Sequence, residues 1–213
     1  MESVLATSCA CTQDPGGCRL VVLTGGPGAG KTATIEFARQ SLCDHIALLP
    51  SAAGILFRGG FLRRNSVAGC KAAQRAIFHI QREQERLVLE EQPHSFALCD
   101  RGSLDGLAYW PDDEASFWRE LGTDRESELA RYHAVIHLRS TEDKRYSGQQ
   151  DPWRTEDAAL ARTIDERILR AWEGHPNRHI IDPSPDFVLT LNSAIEALRR
   201  YIPTRCDKCQ VMA

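Results

Sequence analysis

The chain has 213 residues, a formal net charge of −3, 42% hydrophobic residues and 26% charged residues. This is the profile of one ordinary globular domain with a substantial core. The charge balance supplies no general field for nucleic acid, and the scattered Arg residues form no stripe for a double helix. No apolar run approaches the length of a membrane span.

Residues 1–18 read as a flexible leader, with Cys9, Cys11 and Cys18 among Gly, Pro, Ser and Thr. The leader shows no basic stretch followed by an apolar block, so no secretion signal is expected and the cytoplasm is the expected location. Residues 19–24 form a short Val- and Leu-rich run, the pattern of a buried strand. A glycine cluster follows, then a helical pattern over residues 31–42. A second apolar run spans residues 45–49 and stops at Pro50; a long amphipathic helix is expected over 70–91. Further strands are expected at 96–99, 134–138 and 179–181, and further helices at 154–172 and 187–201. The expected domain is residues 19–202, with 203–213 a flexible tail.

Strands alternating with helices predict an α/β fold of three layers, with a five-stranded, mainly parallel sheet. Ligands of such sheets bind beyond the carboxyl ends of the strands. Thr24, Ser51, Asp100 and Arg139 are therefore expected along one rim.

Residues 25–32 read G-G-P-G-A-G-K-T, a full match to G-x-x-x-x-G-K-[ST]. Chance produces this pattern in a chain of this length about one time in a hundred. Glycines permit the backbone angles and close approach that bring N–H groups onto phosphate oxygens. The helix that starts there adds its unpaired amides and dipole. The expected nucleotide contacts are Gly25, Gly26, Pro27, Gly28, Ala29, Gly30, Lys31, Thr32 and Ala33. Lys31 would reach the β- and γ-phosphates of ATP or GTP, and the Thr32 hydroxyl would ligate Mg2+.

A second acid near the metal is expected at the end of another strand, and Asp100 closes S-F-A-L-C-D. Arg101 follows it where motor-type ATPases often carry Glu, and no N-K-x-D guanine motif occurs. Phosphoryl transfer needs preorganised cations. Arg139, Lys144, Arg145, Arg154 and Arg162 flank a polar Gly/Pro-containing stretch at 147–152 that suits a helical lid. Asp105, Tyr109 and Trp110 stand near an acceptor pocket, with packing favoured for Trp110. Arg58, Arg63 and Arg64 suit either a basic surface or an anionic acceptor.

Cys43, Cys70 and Cys99 lie in apolar or helical patterns and are expected as buried thiols. Cys206 and Cys209 form a lone C-x-x-C, which supplies two of the four ligands of a zinc site.

G-G-P-G-A-G-K-T together with D-R-G-S-L-D-G-L-A-Y-W at 100–110 resembles the small AAA-domain P-loop family of NadR-type nicotinamide-riboside kinase domains and TRPL-translocation-defect proteins. P-W-R-T-E-D at 152–157 and A-W-E-G-H-P at 171–176 continue the resemblance, which covers roughly residues 19–200. It implies a nucleoside- or nucleotide-kinase-like fold and a nucleoside triphosphate with Mg2+. It also implies either a phosphotransferase acting on a small hydroxyl-bearing acceptor of unknown identity or a slow regulatory switch with a phospholipid or protein partner. Lys31, Asp100, Arg101, Asp105 and Arg154 are the expected catalytic residues, with Thr32 and Asp100 at the metal. A homodimer is compatible with this reading. One departure stands out: Ser51 occupies the place after the second strand where kinases of this type often carry an acid.

Overall fold

In the computed structural model, residues 17–42, 46–91, 96–140 and 158–202 are described. The expected leader up to residue 16, Cys43, the 147–152 loop, Lys144, Arg145, Arg154 and the tail with Cys206 and Cys209 lie outside them. Five strands, β1 (Arg19–Gly25), β2 (Ile46–Leu49), β3 (Phe96–Asp100), β4 (Ala134–Leu138) and β5 (Arg178–Ile181), form one sheet in the order β2-β3-β1-β4-β5. Every pairing is parallel. The helices are α1 (Lys31–Ser41), α2 (Ala52–Arg58), α3 (Val67–Glu91), α4 (Glu114–Leu121), α5 (Arg125–Ala130), α6 (Ala158–Ala171) and α7 (Phe187–Arg199), with a 3-10 helix at Ser103–Tyr109.

The period-2 pleat divides the strand side chains between two cores. Val21, Leu23, Phe96, Leu98, Ile136 and Leu138 face α1 and α7, meeting Ala38, Leu42, Ala194, Ile195 and Leu198. Leu20, Val22, Ala97, Cys99 and Val135 face the other way, onto Leu104 of the 3-10 helix and Ile164, Ile168 and Trp172 at α6. The three layers are thus helix, sheet, helix. Each fully buried Val or Leu contributes about 1.5–3 kcal/mol, so the central strand β1, covered on both faces, is a main source of stability.

All five expected strands are present. The differences lie in short helices: α2, α4, α5 and the 3-10 helix have too few turns to show a periodic stripe. Side-chain caps explain the three α-helices locally. Ser51 accepts from the Gly54 amide, Asp113 from Ser116 and Asp124 from Ser127. The helix α3 begins at Val67, three residues before its expected start, where the Ser66 hydroxyl accepts from the Gly69 amide. Trp110 is buried, donates to Ser116 Oγ at 2.8 Å and packs edge-on against Phe117, in keeping with the packing role favoured for it. Cys99 is buried as expected, whereas Cys70 is half-buried because it faces the cleft described below.

Gly102 joins β3 to the 3-10 helix under close packing. A Cβ there would lie 2.7 Å from Trp172 Cζ2 and 2.9 Å from Val22 Cγ2. Both are core groups with no room to withdraw. Gly102→Ala is therefore expected to destabilise the fold by about 1–3 kcal/mol, read as a lower urea midpoint at unchanged m-value.

Candidate nucleotide site

The carboxyl ends of β1, β3 and β4 lie side by side, and the glycine loop leaves the first of them. Gly25 ends β1 at φ 134°, and a Cβ on it would stand 2.0 Å from the Leu138 carbonyl oxygen. Gly30 (φ 87°) caps α1 and lies against the Phe187 ring, while Gly28 (φ 78°) has open space where a side chain would begin. L-residues rarely adopt these angles, which explains why the sequence places glycine at each. The first turn of α1 carries no acid and its cap makes no side-chain bond to the amides. Its dipole and N–H groups are thus set for an anion.

Lys31 is buried at the root of the loop, where its Nζ donates to Gly25 O at 2.8 Å and Gly26 O at 2.7 Å. Thr32 is exposed. Lys31, Thr32, Asp100, Arg101 and Asp105 all line one cleft of about 640 Å³, whose other wall comes from α2 and α3. The loop, the β3 terminus and Arg58, Arg63, Arg64 and Tyr109 thereby share one space. Trp110 does not line it.

Arg101 adopts φ 77°, the one non-glycine residue in the left-handed region among those described. Such a conformation costs on the order of 1–2 kcal/mol. It is held by the Arg101 amide, which donates to Leu23 O at 3.1 Å, and by the guanidinium, which bonds Asp105 Oδ2 at 2.9 Å. Burial opposes the Arg101 charge, but Tyr109, Asp105 and Asp100 outweigh it and hold its pKa above the ordinary arginine value. Asp105 is itself buried, and its oxygens also accept from Trp172 Nε1 at 2.6 Å and from the Thr24 hydroxyl at 2.6 Å. Three donors thus fix the carboxylate that orients Arg101. Ser51 sits at the end of β2 in the cleft wall, with its hydroxyl bonded to Gly54.

Two groups of site supports were not visible in the sequence. One is Asp165 on α6, almost fully buried. It accepts from the Gly26 amide at 2.8 Å, from His137 Nε2 at 2.9 Å and from Arg139 Nε at 3.0 Å. The other is a buried network behind Gly102. The Ser103 amide donates to Tyr132 Oη, and Ser103 Oγ donates to Glu128. Tyr132 in turn donates to Glu85, which also pairs with Arg131; Arg82 pairs with Glu128. Burial first, then the Glu85 charge, push the Tyr132 phenol well above its usual range, so it stays a donor. The signals available were a lone His in the apolar strand A-V-I-H-L and acids on helices, and the latter look like any solvated helix face. Arg139, one of the expected lid cations, pairs instead with Asp165 and Glu166. Arg162 lies exposed on α6.

Residues 20–188 match a protein family described as an AAA domain. The chain belongs to this AAA-domain family. A solved structure with a similar fold is thymidylate kinase from Ehrlichia chaffeensis, at a TM-score of 0.56 and 13% identity, covering 85% of this chain and 99% of that one. No curated protein matches the sequence. The AAA domain is therefore a P-loop protein of nucleotide-kinase-like fold. Among its described residues, no helix is long and apolar enough to cross a membrane.

The oxygen donors of this AAA domain suit a hard divalent cation, which takes one or two protein oxygens and fills its shell with phosphate and water. Thr32 and Asp100 are such a pair on the cleft wall.

Burial pushes the Asp165 carboxyl up, but the bond and charge of His137 and the Gly26 and Ser140 amides overcome this and hold it below its ordinary 3.8. A depressed folded-state pKa stabilises the protein above the unfolded value and loses that contribution as pH falls through the folded value. Asp165→Asn is expected to lower the urea midpoint and weaken ATP binding at neutral pH. The stability gap to wild type should narrow as pH falls below 3.8. Denaturation series at several pH values and nucleotide titration check this.

Proposed function

We propose that this AAA domain is a Mg2+-dependent phosphotransferase that moves the γ-phosphoryl of ATP to a hydroxyl of a small metabolite. The observation that carries the proposal is the single cleft in which Lys31, Thr32, Asp100 and Arg101 meet a second wall made by α2 and α3. A protein that only hydrolysed nucleotide would have little use for that adjoining volume. The kinase-like fold agrees with it.

The glycine-loop amides and Lys31 hold the β- and γ-phosphates. Thr32 and Asp100 would hold the metal ion, which when bound would neutralise charge on the phosphate oxygens. The acceptor oxygen attacks the γ-phosphorus, the bond to the β-phosphate oxygen breaks, and ADP leaves. The acceptor proton passes to Asp100, which lines the cleft at the end of β3, while Asp105 orients Arg101. Arg101 and Arg154 stabilise the spreading negative charge, Arg101 from its fixed position beside Asp105. Such a reaction rests on positioning and electrostatics more than covalent chemistry.

A second reading, a slow nucleotide switch like the regulatory branch of the resembled family, is favoured by Ser51. Its hydroxyl caps α2 and leaves the end of β2 without an acid.

Incubation with Mg-ATP and a panel of nucleosides and related ribosyl compounds separates the two. Acceptor-dependent ADP release that drops by about a hundredfold or more in Asp100→Asn is the expected result. Tight nucleotide binding with no acceptor dependence across the panel supports the switch. Lys31→Ala is expected to lower triphosphate affinity in either case, measured by titration at millimolar Mg2+.

A further inference from the structure

Between His45 and Arg82 the sequence contains Arg58, Arg63, Arg64, Lys71, Arg75 and Arg82, and no Asp or Glu. In a chain of net charge −3 this is a local reversal. Lys71 pairs with Asp112 and Glu120, Arg75 with Glu120 and Arg82 with Glu128. Arg58, Arg63 and Arg64 line the cleft. Arg58 ends α2, a seven-residue helix that starts beside the β2 terminus, so it stands about 10 Å along that wall from the strand rim. Arg63 lies over the Phe57 ring, its centre 5.4 Å away, which limits the rotamers it can adopt. No residue of this stretch can contribute a competing carboxylate.

Resting on the phosphotransferase reading above, we propose that Arg58, Arg63 and Arg64 form an anion subsite that holds a phosphomonoester already present on the acceptor. The metabolite then carries two distinct ends. Its hydroxyl meets the γ-phosphate at Asp100 and Arg101, and its own phosphate is gripped at the α2–α3 wall. Arginine suits this role because its planar fork presents paired donors to phosphate oxygens. The arrangement also keeps the two phosphate groups on separate cations, so the acceptor binds with its hydroxyl toward the triphosphate.

The test is calorimetric titration of the full chain with Mg2+ and a non-hydrolysable ATP analogue present. Nucleoside 5′-monophosphates and ribose 5-phosphate are compared with their phosphate-free counterparts. At least one phosphate-bearing compound is expected to bind about tenfold or more tightly than its counterpart, an advantage that disappears in the R58Q/R63Q/R64Q variant. Retained binding of the ATP analogue shows that the variant folds, and the single variants R58Q and R64Q provide the same readout if the triple variant does not. Equal affinity for both members of every pair, or an advantage that survives the substitutions, overturns the subsite. A third arm uses vesicles of phosphatidylcholine with and without phosphatidic acid, because Phe61 and Leu62 are exposed beside these arginines. Arginine-dependent binding to phosphatidic acid vesicles alone overturns the soluble acceptor in favour of a lipid headgroup. The kinase reading is judged separately, by ADP release. Turnover on a phosphate-free acceptor that ignores the arginine variants sinks only the subsite, whereas arginine-dependent binding without turnover sinks only the kinase.

Discussion

The glycine loop hangs from a carboxylate that is withdrawn from water and still charged. Asp165 stays ionised below its ordinary pKa because His137 and the amides of Gly26 and Ser140 outweigh its burial, and Arg139 pairs with it as well. A buried charge with fewer partners would cost several kcal/mol, so the site depends on this convergence. His137 is entirely buried, and its other ring nitrogen, Nδ1, has no hydrogen-bond partner among the described residues. The orientation of that ring is therefore set by Asp165 alone among polar groups, and the loop, β4 and α6 are tied at one point.

A second anchoring point serves the other half of the site. The strained backbone of Arg101 is held between the Leu23 carbonyl and Asp105, and the following residues hang from Tyr132 and Glu128. Both halves follow one plan. A residue of the site is held by a buried acidic side chain behind it, which in turn is satisfied by donors brought together from distant parts of the chain. Rigidity at the rim is thus supplied from the core, where water cannot compete for the hydrogen bonds.

The sheet was legible because each strand is a short apolar run ended by a polar, glycine or proline residue, and the glycine loop because only glycine tolerates its angles. Asp100 was legible from its place at the end of such a run. Asp165, Glu85 and Glu128 were not. Each lies on a helix whose charges look alike in sequence, and only the tertiary packing tells a buried acid from a solvated one. The short helices α2, α4 and α5 escaped for a different reason: their existence rests on single capping side chains rather than on a stripe. Asp105 looked like a free acid beside the acceptor, yet Thr24 and Trp172, far away in the chain, take up its oxygens.

The bond between the Gly26 amide and Asp165 spans 139 positions of the chain. During synthesis the loop therefore leaves the ribosome long before its anchor does. The strands that flank β1 also arrive late, since β3 begins at Phe96 and β4 at Ala134. Such non-local pairings form slowly because a long loop must close before they contribute. The nascent chain thus carries its most recognisable motif first and acquires the geometry that gives the motif meaning almost last, when α6 has docked.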